Sequence, residues 1–195
     1  MFTLFIFTFW FASAILILAG YGRHILEQNR VQARWLAVLM IGIAGVSVLI
    51  ALYSPIIRGN FGDLVWSVVV VAVFLVRGHK ILWWGVSLMA MAVSVMRVFG
   101  PINPHRVVVV DWMIWEILMV GLMVGLLVKD PFLSALSAAM VTILSSLIHT
   151  MFGGYMPIGT TRDLAYSLGS TLMAWNIAWV LNWVHVQWRR RVVNS

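Results

Sequence analysis

The stretch VVVVDWMIWEILMVGLMVGLLV, residues 107–128, decides what kind of molecule this is. It holds 22 residues, and only Asp111 and Glu116 among them carry charge. A helix of about 20 such residues, rising 1.5 Å per residue, crosses roughly 30 Å of hydrocarbon. A surface helix of a soluble domain carries a continuous polar face, and this segment has none. Pro101 and Pro104 precede it, and Lys129-Asp130-Pro131 closes it.

Outward from this segment the same signature recurs six times, over residues 2–22, 35–57, 61–76, 81–100, 132–152 and 164–188. The interruptions are polar or helix-breaking: Arg23-His24, Arg58-Gly59-Asn60, Gly153-Gly154 and the triplet Arg189-Arg190-Arg191. Of the 195 residues, 63% are apolar and 10% charged, whereas a soluble domain has about 45–50% and about 25%. So few charges cannot clothe a water-facing surface. The expected fold is all-α, a polytopic transmembrane bundle of seven spans forming one domain over residues 1–195. No basic residue precedes the first run and no small-residue cleavage site follows it, so it reads as a span and not as a removable signal. Cysteine is absent, which excludes thiolate catalysis, disulfides and iron–sulfur clusters.

Orientation follows from the basic residues. Loops after the odd-numbered spans, with the tail, hold Arg23, Arg30, Arg34, Arg77, Lys80, Lys129 and the arginine triplet; the other side holds Arg58, Arg97, Arg106 and Arg162. Nine against four puts the odd loops inside, the N-terminus outside and the C-terminus in the cytoplasm. The net charge of +7 is then retention charge at a cytoplasmic membrane face, not a nucleic-acid surface. The first cytoplasmic loop, RHILEQNRVQAR, is basic and weakly amphipathic and suits the anionic inner leaflet, or acts only as a retention signal. Trp10, Trp35, Trp66, Trp83, Trp84, Trp112, Trp183 and Trp188 sit near span ends, as an aromatic belt requires.

Ionisable groups inside spans are costly, about 2.5–3.5 kcal/mol each, and are the default candidates for function. Asp111 and Glu116 point about 140° apart on one helix, so they make no two-carboxylate hydrolase site. Arg97 lies at similar outer depth on the preceding span, and Arg97–Asp111 is the expected structural ion pair. Glu116, counted from Val107, falls near the midplane with no evident cation. Hydrocarbon around it favours the uncharged acid, and Asn176 and His149 are its candidate partners. Those three residues form either a packing clamp, worth about 0.6–2 kcal/mol, or a proton- or solute-binding site. A clamp is expected to tolerate Glu116→Gln.

Asp63-Leu-Val-Trp-Ser and Asp163-Leu-Ala-Tyr-Ser open the third and seventh spans. Either they mark parallel repeats, spans one to three and five to seven, or two aspartates cap outward helix starts independently. Gly121 and Gly125 form a G-x-x-x-G, and Ser134, Ala135, Ser137, Ala138 and Ala139 line the sixth span. Such small residues favour close helix approach and leave a homo-oligomer or a membrane-protein partner open. No two histidines share a helix face at ligand spacing, so no metal or cofactor is expected. Lys80 and Lys129 lie in loops, which excludes an intramembrane Schiff base.

The C-terminal half, from about Arg77 to Arg191, resembles the YphA-like family of bacterial multi-pass membrane proteins. The likeness lies in the outer turn Tyr155-Met156-Pro157-Ile158-Gly159, then Asp163, then a helix with Ala174-Trp175 in its middle and a charged tail. The resemblance implies a bacterial cell membrane and no established activity. The layout is also similar to that of sugar-transporting SWEET proteins, whose Pro-Gln signature is missing here. The expected role is that of an accessory or structural membrane protein without enzymatic activity, the alternative being a small solute or proton-coupled transporter around Glu116.

Overall fold

The computed structural model describes residues 2–53, 61–99, 112–152 and 161–193. Among them are eight α-helices and no strand. They are α1 (Phe2–Leu18), α2 (Arg23–Gln28), α3 (Ala33–Tyr53), α4 (Phe61–Arg77), α5 (Lys80–Phe99), α6 (Trp112–Leu127), α7 (Pro131–Met151) and α8 (Thr161–Val193). Among the described residues, Lys80–Arg97, Pro131–Met151 and Leu164–Trp188 are long and apolar enough to cross a membrane. Ile6–Leu18, Ala33–Val46 and Ile114–Leu127 are shorter apolar helices.

Helix ends follow local chemistry. α1 stops four residues before the expected boundary because Gly20 takes φ +102°, open to glycine at little cost. Tyr21 N–H then bonds to Leu16 C=O at 2.9 Å and Gly20 N–H to Ile17 C=O at 3.1 Å, a Schellman closure. α7 starts on an N-cap: the Asp130 carboxylate accepts from Leu133 N–H at 2.9 Å, with Pro131 in the first turn. Asp63 and Asp163 each stand two residues inside a helix, since α4 begins at Phe61 and α8 at Thr161. They are first-turn residues and not N-caps, a position where a carboxylate still meets the positive end of the helix dipole.

Packing gives the directions of α1 and of α4 to α8. Ile117 lies against Gly169, Gly121 against Met173 and Gly125 against Ile177, at one constant spacing, so α6 and α8 run parallel. Trp10 meets Trp66 edge-on at 5.3 Å, and Trp66 Nε1 donates to Ser167 Oγ at 2.8 Å, which places the middle of α1 and the second turn of α4 beside the second turn of α8. Tyr21, just past α1, reaches Asn176 further along α8, so α1 runs with α8. α7 runs the other way, Ser134 opposite Ala174, and α5 runs with α7, Ser94 opposite Ser145. α8 is the hub: α6 and α7 lie along it, α1 and α4 touch it, and α5 leans on α7.

Several sequence expectations are thereby corrected. The G-x-x-x-G is spent inside the chain, because a Cβ at Gly121 would come within 2.6 Å of Met173 and one at Gly125 within 2.8 Å of Ile177. Trp10 and Trp66 are 3% and 6% exposed and belong to the core, not to a belt; Trp35, Trp84, Trp183 and Trp188 are exposed. The first loop folds as α2 with Ile25 and Leu26 buried, so its apolar residues face the bundle and not a leaflet. The two Asp-Leu-x-x-Ser segments lie side by side through Trp66 and Ser167. The trios around them pack differently, however: α6 and α7 both lie along α8, whereas α1 lies along α3. The likeness is confined to the two helix starts.

Candidate functional site

Arg97 stands in the last turn of α5, where the negative end of the helix dipole favours a cation. Glu116 stands in the second turn of α6, toward the positive end. Antiparallel packing brings them together. Arg97 Nε donates to Glu116 Oε1 at 2.9 Å, and Nη2 donates to the same oxygen at 2.5 Å. The side chains are 12% and 5% exposed, so this is a buried ion pair. Arg97 Nη1 donates to Ser146 Oγ on α7 at 2.8 Å, and the guanidinium carbon lies 5.4 Å from the ring centre of Tyr166 on α8. One side chain thus touches three other helices, using hydrogen bonds on two and a cation–π contact on the third.

The level of this junction follows from its partners. Arg97 is two residues from the end of α5, Ser146 five from the end of α7, and Tyr166 five from the start of α8. Each is within about 8 Å of its helix end at 1.5 Å per residue. Glu116 therefore sits nearer one end of the bundle than the midplane expected by counting from Val107. Beside the pair, between α5 and α6, is a cavity of 210 Å³ lined by Arg97 and Glu116 themselves and otherwise by apolar side chains, Val93, Met96, Trp115 and Met119 among them.

The remaining candidates are elsewhere. Asn176 is two helical turns away: the α6–α8 register puts Glu116 level with Leu168, eight residues or about 12 Å short of it. Asn176 Nδ2 donates to Leu172 C=O at 2.7 Å, and its Oδ1 accepts from Tyr21 Oη at 3.4 Å. His149 lies one turn beyond Ser146 on α7, and its buried Nδ1 has no hydrogen-bond partner among the described residues. Asp111, the expected partner of Arg97, lies outside the described residues, and the Asp163 side chain does too. Among the described residues no three His, Asp or Glu side chains gather as a metal would need.

Ser146 and Tyr166 were not singled out by sequence reading. Tyr166 is at one of the two positions where the Asp163 and Asp63 segments differ, and Ser146 is one of several serines on α7; neither carries a signal of its own. At the opposite end, Arg77 Nη2 donates to Asn29 C=O at 2.6 Å, and Asn29 Nδ2 donates to Ile25 C=O at 3.0 Å and to Asp130 Oδ2 at 3.5 Å. That knot ties α2 to α4 and α7 through backbone and amide groups.

Comparison with protein-family models, with curated proteins and with solved structures returns no match, and none bears on the resemblance to the YphA-like family.

Proposed function

We propose that the chain is a seven-span protein of a bacterial cytoplasmic membrane, N-terminus outside and C-terminus inside, with an accessory or structural role and no enzymatic activity. The spans are α1, α3, α4, α5, α6, α7 and α8, and α2 is a cytoplasmic connector. The alternating directions of the packed helices favour this reading, as does the resemblance to the YphA-like family. The observation that carries the role is the Arg97 junction. A carboxylate held by two guanidinium donors, with Asn176 about 12 Å away, is built as a lock between helices and not as an open carrier site.

The test uses the double variant Arg97→Met/Glu116→Met, which removes both charges and leaves neither buried alone. Reconstituted in vesicles with an imposed pH gradient, wild type and variant should hold the gradient as long as empty vesicles do. Dissipation by the wild type that the variant lacks overturns the structural role in favour of the proton-coupled carrier. Reporter fusions at Ser195 should read cytoplasmic; an external signal refutes the span count or its direction.

A further inference from the structure

α5 and α6 meet at one end of the bundle, through Arg97 and Glu116, and are separated toward the other. Between them a groove of 570 Å³ opens, walled by Leu82, Gly85 and Val86 of α5 and by Val124 and Leu127 of α6, with Leu133 of α7 as floor. Apart from Ser137, whose hydroxyl is turned to Leu133 C=O at 2.6 Å, its walls are apolar. The charge is at the mouth, where His79, Lys129 and Asp130 line the opening and Lys80 stands between the lining residues His79 and Ile81.

The mouth has a positive balance, two lysines against the one carboxylate of Asp130. Both Asp130 oxygens are engaged, one by Leu133 N–H and the other by Asn29 Nδ2. Lys80 and Lys129 are exposed, and among the described residues neither has an ion-pair partner. Gly85 leaves a notch in one wall, since a Cβ there would meet nothing within 4 Å. An apolar slot whose mouth is lined by Lys129, with Lys80 next along the chain from the lining residue His79, is complementary to an amphiphile with a hydrocarbon tail and a negative head.

We propose that this groove holds one acyl chain of an anionic glycerophospholipid, with its phosphate received by Lys129 and Lys80. The inference rests on the membrane placement proposed above. The lipid comes from the leaflet at the basic end of the bundle, the end where Arg77 and the α8 arginine triplet also lie. It fills the space between two helices that do not close on each other, so that the bilayer completes the packing of α5.

Native mass spectrometry of the full chain in detergent tests this, with phosphatidylglycerol and phosphatidylcholine of equal chain length added separately. The wild type should retain phosphatidylglycerol at lower lipid concentration than phosphatidylcholine. Lys80→Gln and Lys129→Gln should each weaken that retention about fivefold, and the double variant should bring it to the phosphatidylcholine level. Gly85→Leu fills the notch and keeps both charges; it should lower retention of both lipids. Equal retention of the two lipids by the wild type overturns the proposal. So does a Gly85→Leu protein that binds phosphatidylglycerol as the wild type does, because surface charge alone then holds the lipid. A copurifying protein in place of lipid also overturns it. Release of the chain into buffer without detergent, scored before any lipid is added, defeats the membrane reading itself and is thereby told apart.

Discussion

α5 and α7 are close in length, 20 and 21 residues, and each is apolar enough to cross a bilayer. Their placement is opposite. Of the spanning windows, 67% of α7 is buried inside the protein and 22% of α5. α5 turns Leu88, Met91 and Val95 outward, whereas α7 buries Ser134, Ala135, Ser137, Ala138, Ala139, Thr142 and Ser145. The hydroxyls of α7 are mostly satisfied by their own helix: Ser137 bonds Leu133 C=O, Thr142 bonds Ala139 C=O and Ser145 bonds Thr142 C=O, all within 3.0 Å. Lipid is as apolar as leucine, so hydrophobicity does not drive spans together; small side chains that let backbones approach do. Hydropathy therefore separates spans from loops, and residue size separates the central span from the peripheral one. α7 is held along its whole length, whereas α5 leans on α7 and is fastened at one end by a charge.

The largest effect should come from cutting that fastening. Glu116→Gln leaves the Arg97 guanidinium buried without its counter-charge, which costs about 3–5 kcal/mol. Thermal unfolding in detergent should show a marked loss of folded protein, and Arg97→Met added to a Glu116→Met chain should recover most of it. The sequence alone led to the opposite expectation, tolerance of glutamine, because it supplied no cation for Glu116. A glutamine variant that melts with the wild type would mean that α5 is held by packing alone.

The error is instructive. Periodicity and hydropathy located the helices, the basic loops ordered them, and the cost of a carboxylate in hydrocarbon singled out Glu116. Arg97 was also singled out, but estimated depth paired it with Asp111, which lies outside the described residues, and not with Glu116. That Glu116 faces Arg97 depends on how α6 is rotated about its axis, and that rotation is set by Gly121 and Gly125 closing on Met173 and Ile177. The glycines were legible as a packing surface; that the surface belongs to α8 and not to a second copy was not. Asn176 fails as a partner for a related reason. Its level relative to Glu116 is fixed by the α6–α8 register, and no loop length reveals a register.

A smaller effect tests the glycine contrast between the two flanks of α7. Gly121→Ala forces α6 away from α8, since the new Cβ would lie 2.6 Å from Met173 Cβ and 2.7 Å from its Cγ. Overpacking of this kind costs about 1–3 kcal/mol. Gly85→Ala on α5 points into open space and should be neutral or gain up to about 1 kcal/mol from helix propensity. The thermal unfolding temperature should therefore fall for Gly121→Ala and stay level or rise for Gly85→Ala. Equal destabilisation would mean that α5 is as closely packed as α6 and would remove the distinction between a central and a peripheral span.

The smallest effect separates the two properties that α7 combines, smallness and polarity. Ser134 is fully buried, and its hydroxyl reaches across to Ala174 C=O at 3.2 Å. That carbonyl lies in the interior of α8, where a backbone N–H already serves it, so Ser134→Ala deletes a supplementary bond. The expected loss is about 0.6 kcal/mol, the average for an interhelical hydrogen bond in a membrane. Ser134→Val keeps a compact side chain but adds bulk where α7 and α8 touch, and should cost more, about 1–3 kcal/mol. If alanine proved the more damaging of the two in thermal unfolding, the hydroxyl and not the small volume would be what keeps α7 at the centre, and small-residue content would lose its standing as the mark of the central span.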